Sequence, residues 1–120
     1  MDHGNKTTAL VVEDDPDQLE LVSTLLEECD MAVIQCETAE SAEAVLEKVG
    51  HKLSMIFTDV SLAGEMSGAE LAVIAKRRFP DLVVIVTSGH NAPALPTGAM
   101  FMQKPWHALD ILREAERARH

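Results

Sequence analysis

The chain has 120 residues, of which 47% are hydrophobic, so it is long enough to bury one core and too short for two. Twenty acidic residues against ten basic residues give a formal net charge of −10, which repels nucleic acids and anionic membrane surfaces. The composition therefore predicts a single domain, residues 1–120, that contacts neither nucleic acid nor membrane directly.

The beginning of the chain is polar and has no apolar segment of the kind that a secretion signal requires. The longest aliphatic run, residues 82–86, is too short to cross a bilayer. Cys29 and Cys36 have neither the number nor the spacing of a disulfide framework or a metal site. Together these features predict a cytoplasmic protein.

In the first half of the chain, short apolar runs alternate with amphipathic stretches of ten or more residues. The first strand, 9–12, precedes a helix whose N-cap is Asp15. The second strand, 32–36, precedes a helix that Thr38 caps and Gly50 closes. This alternation is typical of βαβ units.

The second half continues the pattern, with strands at 53–58, 82–87 and 99–103 and a third helix at 68–78. The fourth interval, GHNAPALPTG, contains two prolines and two glycines, so we expect the helix there to be shortened or absent. A last helix begins near His107, and its predicted buried side chains are Leu109, Leu112 and Ala115. Several strands are apolar on both faces, which predicts an α/β fold: a parallel sheet covered by helices on both sides.

Polar side chains cluster in the sequence where the predicted strands end. In open α/β sheets this is the ligand-binding edge, and the residues there are Glu13, Asp14, Asp59, Thr87, Ser88 and Lys104. Carboxylates packed so closely repel one another unless a cation lies among them, and oxygen ligands suit Mg²⁺. A hydroxyl and an ammonium are the groups that hold a phosphoryl group in transfer.

Four stretches resemble the signature motifs of response-regulator receiver domains: VVEDDPDQ, FTDVSLAGEMSG, IVTSGH and FMQKPW. The resemblance spans nearly the whole chain. It implies a doubly wound, flavodoxin-like sheet of five strands in the order 2-1-3-4-5. It also implies a phosphoacceptor of a two-component or phosphorelay system, with Asp59 taking a phosphoryl group from the phosphohistidine of a histidine kinase or histidine phosphotransferase. Its output would be contact with a downstream protein target.

The resemblance assigns the metal site and the groups that hold the phosphoryl moiety. Asp14, Asp59 and the backbone carbonyl of Ser61 would bind Mg²⁺ directly, Glu13 would act through water, and Mn²⁺ could substitute. Thr87 and Lys104 would grip the phosphoryl group.

The resemblance further implies a switch in which the Thr87 hydroxyl and the aromatic ring of Phe101 move together. It implies a cis peptide bond before Pro105, and Ser61 and Gly89 as positions that tune dephosphorylation. Ala63 stands where many members of the family have proline, which favours a more mobile loop after the phosphoacceptor.

Two other classes of function remain open. A Mg²⁺-dependent aspartyl-phosphate hydrolase would share the Asp nucleophile and the Lys, but those of the haloacid-dehalogenase type carry a DxD pair, and this chain has Asp59, Val60 and Ser61. An interaction module that is never phosphorylated is the second alternative, whether a flavodoxin-like binding module or a receiver fold. A receiver domain would be a signalling phosphoacceptor rather than an enzyme, assisting only its own phosphorylation and dephosphorylation.

Overall fold

The computed structural model describes residues 7–119. Five strands form one sheet: β1 (Thr7–Val12), β2 (Met31–Cys36), β3 (Leu53–Asp59), β4 (Val83–Ser88) and β5 (Met100–Gln103). Four α-helices connect or follow them: α1 (Pro16–Glu28), α2 (Ala39–Val49), α3 (Gly68–Arg78) and α4 (Ala108–Arg119). A short 3₁₀ helix, Gly50–Lys52, lies between α2 and β3.

All four pairings in the sheet are parallel, and the strand order is β2-β1-β3-β4-β5. One face of the sheet packs against α1 and α4, including Leu26 and Ile111, and the other packs against α2 and α3, including Leu46 and Leu71. The predicted doubly wound fold and its strand order are confirmed. Because both faces are covered, the central strands are apolar on both sides.

The helices begin where the sequence supplies capping groups. Asp15 accepts a hydrogen bond from the Asp17 N–H at the start of α1, and Thr38 accepts one from the Ser41 N–H at the start of α2. At α3, Ser67 completes a capping box with Glu70.

The connection between β4 and β5 contains no helix, as the sequence predicts. Pro93 and Pro96 each remove a backbone donor from this segment, and Gly98 has a φ of +89°, which most side chains disfavour. Within residues 7–119, no helix is long and apolar enough to cross a membrane.

The prediction for the buried face of the last helix was partly wrong. Leu109 is 61% exposed and Leu112 is half-buried, whereas Ala115 is buried as predicted, together with Ile111 and Glu114. Leu109 lies two positions from Ile111, which places it about 200° away around the helix. Glu114 is polar, and its presence on the buried face concealed the correct period from a reading of apolar residues alone.

Candidate functional site

The polar residues at the strand ends come together at one edge of the sheet. Val12 is the register partner of Thr58, and Asp59 is the register partner of Thr87, so the ends of β1, β3 and β4 are level. Glu13 directly follows β1 and extends the backbone hydrogen bonding between β1 and β2, since its N–H donates to the Cys36 carbonyl at 3.0 Å. The positions of these side chains are therefore set by the sheet rather than by a loop.

Asp59 is the last residue of β3, and it is 8% exposed. Its Oδ2 accepts a hydrogen bond from Lys104 Nζ at 2.8 Å, and its Oδ1 accepts one from the Ser61 N–H at 3.3 Å. Both oxygens of the carboxylate thus have donors. The carboxyl group therefore lies at the edge of the sheet and is held in one orientation.

Glu13 is buried beside it, and its two oxygens also face donors. Oε2 accepts from the Asp15 N–H at 3.1 Å, and Oε1 lies 3.6 Å from Lys104 Nζ. Burial raises the pKa of Glu13 to about 7; repulsion from Asp59 and contact with the Asp14 carboxyl act in the same direction, while the Asp15 N–H and Lys104 oppose them. The site holds more negative charge than its one ammonium neutralises.

Lys104 reaches this position from the edge strand. Its backbone N–H donates to the Ser88 carbonyl at 2.9 Å, and the peptide bond to Pro105 is cis. Burial acts against its charge, but the hydrogen bond and the attraction to Asp59, with a further contribution from Glu13, prevail and raise the pKa of the ammonium. Lys104 is therefore a permanent cation between two carboxylates.

Thr87 is fully buried next to Asp59 in the sheet. Its Oγ1 has no hydrogen-bond partner within the part of the chain that the structure describes. A buried hydroxyl usually has one, so a free hydroxyl here is available to an incoming acceptor. Phe101 is half-buried on β5, where it pairs in register with Val86.

The remaining residues predicted for the site are at its rim. Asp14 and Ser61 are exposed, and so is Gly89 at the end of β4. No group of three or more His, Cys, Asp or Glu side chains in residues 7–119 is already arranged around a metal position. The donor chemistry nonetheless fits Mg²⁺, which keeps several waters and needs only one or two carboxylates from a protein. Glu13 and Asp59 supply buried carboxylates whose charges repel one another.

Gly68 is a positioning residue that the sequence analysis did not identify. A Cβ at this position would lie 1.8 Å from the Asp59 carbonyl oxygen and 2.8 Å from Thr58 Oγ1. The Gly68 N–H donates to the Val60 carbonyl at 2.9 Å, so the first residue of α3 packs directly on the backbone of the carboxylate-bearing strand. A glycine just after the Ser67 N-cap, where helix propensity favours other residues, was the signal.

Comparison with known proteins agrees with the fold. A model of the response regulator receiver domain matches residues 9–115. The nitrogen assimilation regulatory protein NtrX of Azorhizobium caulinodans is 33% identical over 117 residues, which cover 91% of this chain and 25% of that protein. The response regulator receiver protein CpdR of Brucella abortus is 32% identical over 114 residues, 90% of this chain and 92% of CpdR.

A crystal structure of a response regulator receiver domain protein from Clostridium thermocellum superposes with a TM-score of 0.84 over 93% of each chain, at 22% identity. The chain belongs to the response regulator receiver domain family of two-component systems, whose members are signalling phosphoacceptors. It spans a quarter of the length of NtrX and nearly all of CpdR.

Proposed function

We propose that residues 1–120 act as one phosphoacceptor unit of a two-component or phosphorelay system, in which Asp59 takes a phosphoryl group from a phosphohistidine. The donor is a histidine kinase or a histidine phosphotransferase. The observation that carries the proposal is the buried Asp59 carboxylate, 2.8 Å from the Lys104 ammonium at the edge of the sheet where ligands bind. The chain serves as a signalling acceptor rather than as an enzyme with turnover.

In the transfer step, one carboxylate oxygen of Asp59 forms a bond to phosphorus while the bond from phosphorus to the histidine nitrogen breaks. The nitrogen keeps the electron pair, and because the other ring nitrogen of the phosphohistidine already carries a proton, the histidine leaves as a neutral imidazole. Lys104 Nζ, which contacts Asp59 Oδ2 before the reaction, then pairs with a phosphoryl oxygen. The unpaired Thr87 hydroxyl donates to a second phosphoryl oxygen, which gives it the partner it lacks within the described residues.

The residues that would hold Mg²⁺ are Asp14, Asp59 and the Ser61 carbonyl, with Glu13 acting through water. When bound, Mg²⁺ (or Mn²⁺) neutralises charge on the carboxylates and the phosphoryl oxygens. Burial is the main cause that raises the pKa of Glu13, and repulsion from Asp59 adds to it; a dication would remove this repulsion, which supports the role of Mg²⁺.

Phosphorylation of Asp59 would also change the positions of Thr87 and Phe101. The Thr87 side chain moves toward the phosphoryl group, and Phe101, half-buried on the edge strand, moves into the space behind it. The rearranged surface binds a downstream protein target. Exposed Ser61 and Gly89 border Asp59 and Thr87, where side-chain size controls the access of water to the phosphoryl group, so these positions tune dephosphorylation.

Incubation with an acyl phosphate and Mg²⁺, followed by intact mass spectrometry, tests the proposal. We expect a gain of one phosphate that is absent in Asp59→Asn, strongly reduced in Lys104→Ala, and lost when the divalent cation is chelated. Lys52→Ala is the matched control, because Lys52 is exposed at the opposite end of the sheet. Continued release of phosphate from a phosphomonoester would instead favour a hydrolase, and no mass change in the wild-type protein would favour an interaction module without phosphorylation.

A further inference from the structure

The side chain of Glu40 reaches from the first turn of α2 to the loop between β3 and α3. Its Oε2 accepts two backbone hydrogen bonds from that loop, one from the Glu65 N–H at 2.9 Å and one from the Met66 N–H at 3.0 Å. The hydrogen bond from Met66, together with those from Glu40's own N–H and from Glu65, lowers the pKa of this carboxyl. The Glu40 carboxylate is therefore a charged acceptor for two backbone N–H groups of this loop.

The loop is shaped around this carboxylate. Gly64 has a φ of +95°, which L side chains rarely adopt, and a Cβ there would lie 2.7 Å from Glu40 Oε1, so a larger residue would be strained and would displace the Glu40 carboxylate. The neighbouring Ala63 forms a parallel bridge with Thr38, the N-cap of α2. The start of α2 and the middle of the loop thus contact each other through both side chain and backbone.

The same loop carries residues of the candidate site. It leaves Asp59 through Val60, whose N–H donates to the Thr87 carbonyl at 3.0 Å, and it returns at Gly68. Ser61 lies between these two fixed points, with its N–H on Asp59 Oδ1. Glu40 therefore contacts the stretch of the loop that joins Ser61 to α3.

We propose that Glu40 is a positioning residue for the phosphoryl-transfer site: its carboxylate fixes the β3–α3 loop and thereby places the Ser61 carbonyl for Mg²⁺. The inference rests on the function proposed above, in which that carbonyl is a metal ligand. Glu40 touches neither the metal nor the phosphoryl group, and it acts through the loop backbone.

The test compares Glu40→Ala, Glu40→Gln and Glu37→Ala by calorimetric titration with Mg²⁺ and by amide hydrogen exchange of the metal-free proteins. Glu37 is the matched control, since it is an exposed glutamate of the same charge just before α2. We expect Glu40→Ala to raise the Kd for Mg²⁺ about tenfold, a typical loss when a residue that orients a metal ligand is removed. Exchange at the Glu65 and Met66 amides should accelerate in parallel.

Glu40→Gln keeps an oxygen acceptor, so its Kd should stay within about threefold of the wild-type value, and Glu37→Ala should match the wild type. An unchanged Kd in Glu40→Ala overturns the inference. An equal loss of Mg²⁺ affinity in Glu40→Gln and Glu40→Ala also overturns it, because the effect would then come from charge alone. Faster exchange at the core amide of Val86 in Glu40→Ala overturns it as well, because it would indicate general destabilisation. None of these readouts uses phosphorylation, so failure of Asp59 to gain a phosphate would overturn the proposed function separately.

Discussion

Replacing Glu13 by glutamine separates the cost of burying its charge from its role near the metal. The unfolded chain releases the Glu13 proton near the ordinary value of 4.5, whereas the folded protein holds it until about 7. Between these values the folded state binds more protons, so stability falls as pH rises through the window. Glutamine has no proton to lose, and its carbonyl oxygen can still accept from the Asp15 N–H, which lies 3.1 Å from Glu13 Oε2.

The magnitude follows from the pKa difference of about 2.5 units, which corresponds to about 3 kcal/mol over the whole window at 1.36 kcal/mol per unit. Most of it, about 2 kcal/mol, falls between about pH 5 and about pH 8. We therefore expect the free energy of unfolding of Glu13→Gln, relative to wild type, to be higher at the upper pH than at the lower pH by that amount. The charged Glu13 carboxylate lowers the stability of the metal-free protein, and bound Mg²⁺ would reduce the repulsion that acts on it.

Urea denaturation in the presence of a chelator measures this difference, with both proteins followed at the two pH values. Glu37→Gln is the control, because Glu37 is exposed and its substitution should leave the pH dependence of wild type unchanged. Identical pH profiles for Glu13→Gln and wild type would refute the reasoning. Added Mg²⁺ should stabilise wild type more than Glu13→Gln at the upper pH.

Two further substitutions test the packing around Asp59. Gly68→Ala should lower the free energy of unfolding in urea by about 1–3 kcal/mol, because its Cβ would collide with the Asp59 carbonyl. Gly89→Ala is the control and should be neutral, because its Cβ would meet nothing within 4 Å. Equal effects of the two substitutions on stability would contradict the clash at Gly68. Thr87→Val should leave the metal-free protein as stable as wild type or up to about 1 kcal/mol more stable in thermal unfolding, since its hydroxyl has no partner within residues 7–119. A clear loss of stability would mean that the hydroxyl is paired.

Much of the fold could be predicted because local signals and the global pattern agree. The apolar runs are buried strands, the capping residues begin the helices, and the proline-rich interval after β4 contains no helix. Leu109 was placed wrongly because hydrophobicity alone cannot distinguish an exposed leucine from a buried one. The buried face of α4 depends on Glu114, whose burial only the packed structure reveals.

At the site, the strand ends predicted that Glu13, Asp59 and Lys104 would lie close together, since parallel strands bring their carboxyl ends to one edge. The sequence could not predict that Glu40 would reach the loop, because its partners are backbone groups 25 and 26 residues away and carry no residue-type signal. The positioning role of Gly68 could not be predicted for a related reason. The space that excludes its Cβ is filled by another segment's carbonyl, and contacts between backbones leave little trace in composition.

The contact between Lys104 and Asp59 connects the edge of the sheet to its central strand. Lys104 follows β5, an edge strand of only four residues that pairs with β4 alone, and its ammonium spans β4 to reach the carboxylate of β3. Phosphorylation of that carboxylate, as proposed above, would give a mixed anhydride and place a phosphoryl group between the carboxyl oxygen and the ammonium. A change at the central strand would thus be transmitted to a short edge strand, which no helix in residues 89–99 precedes.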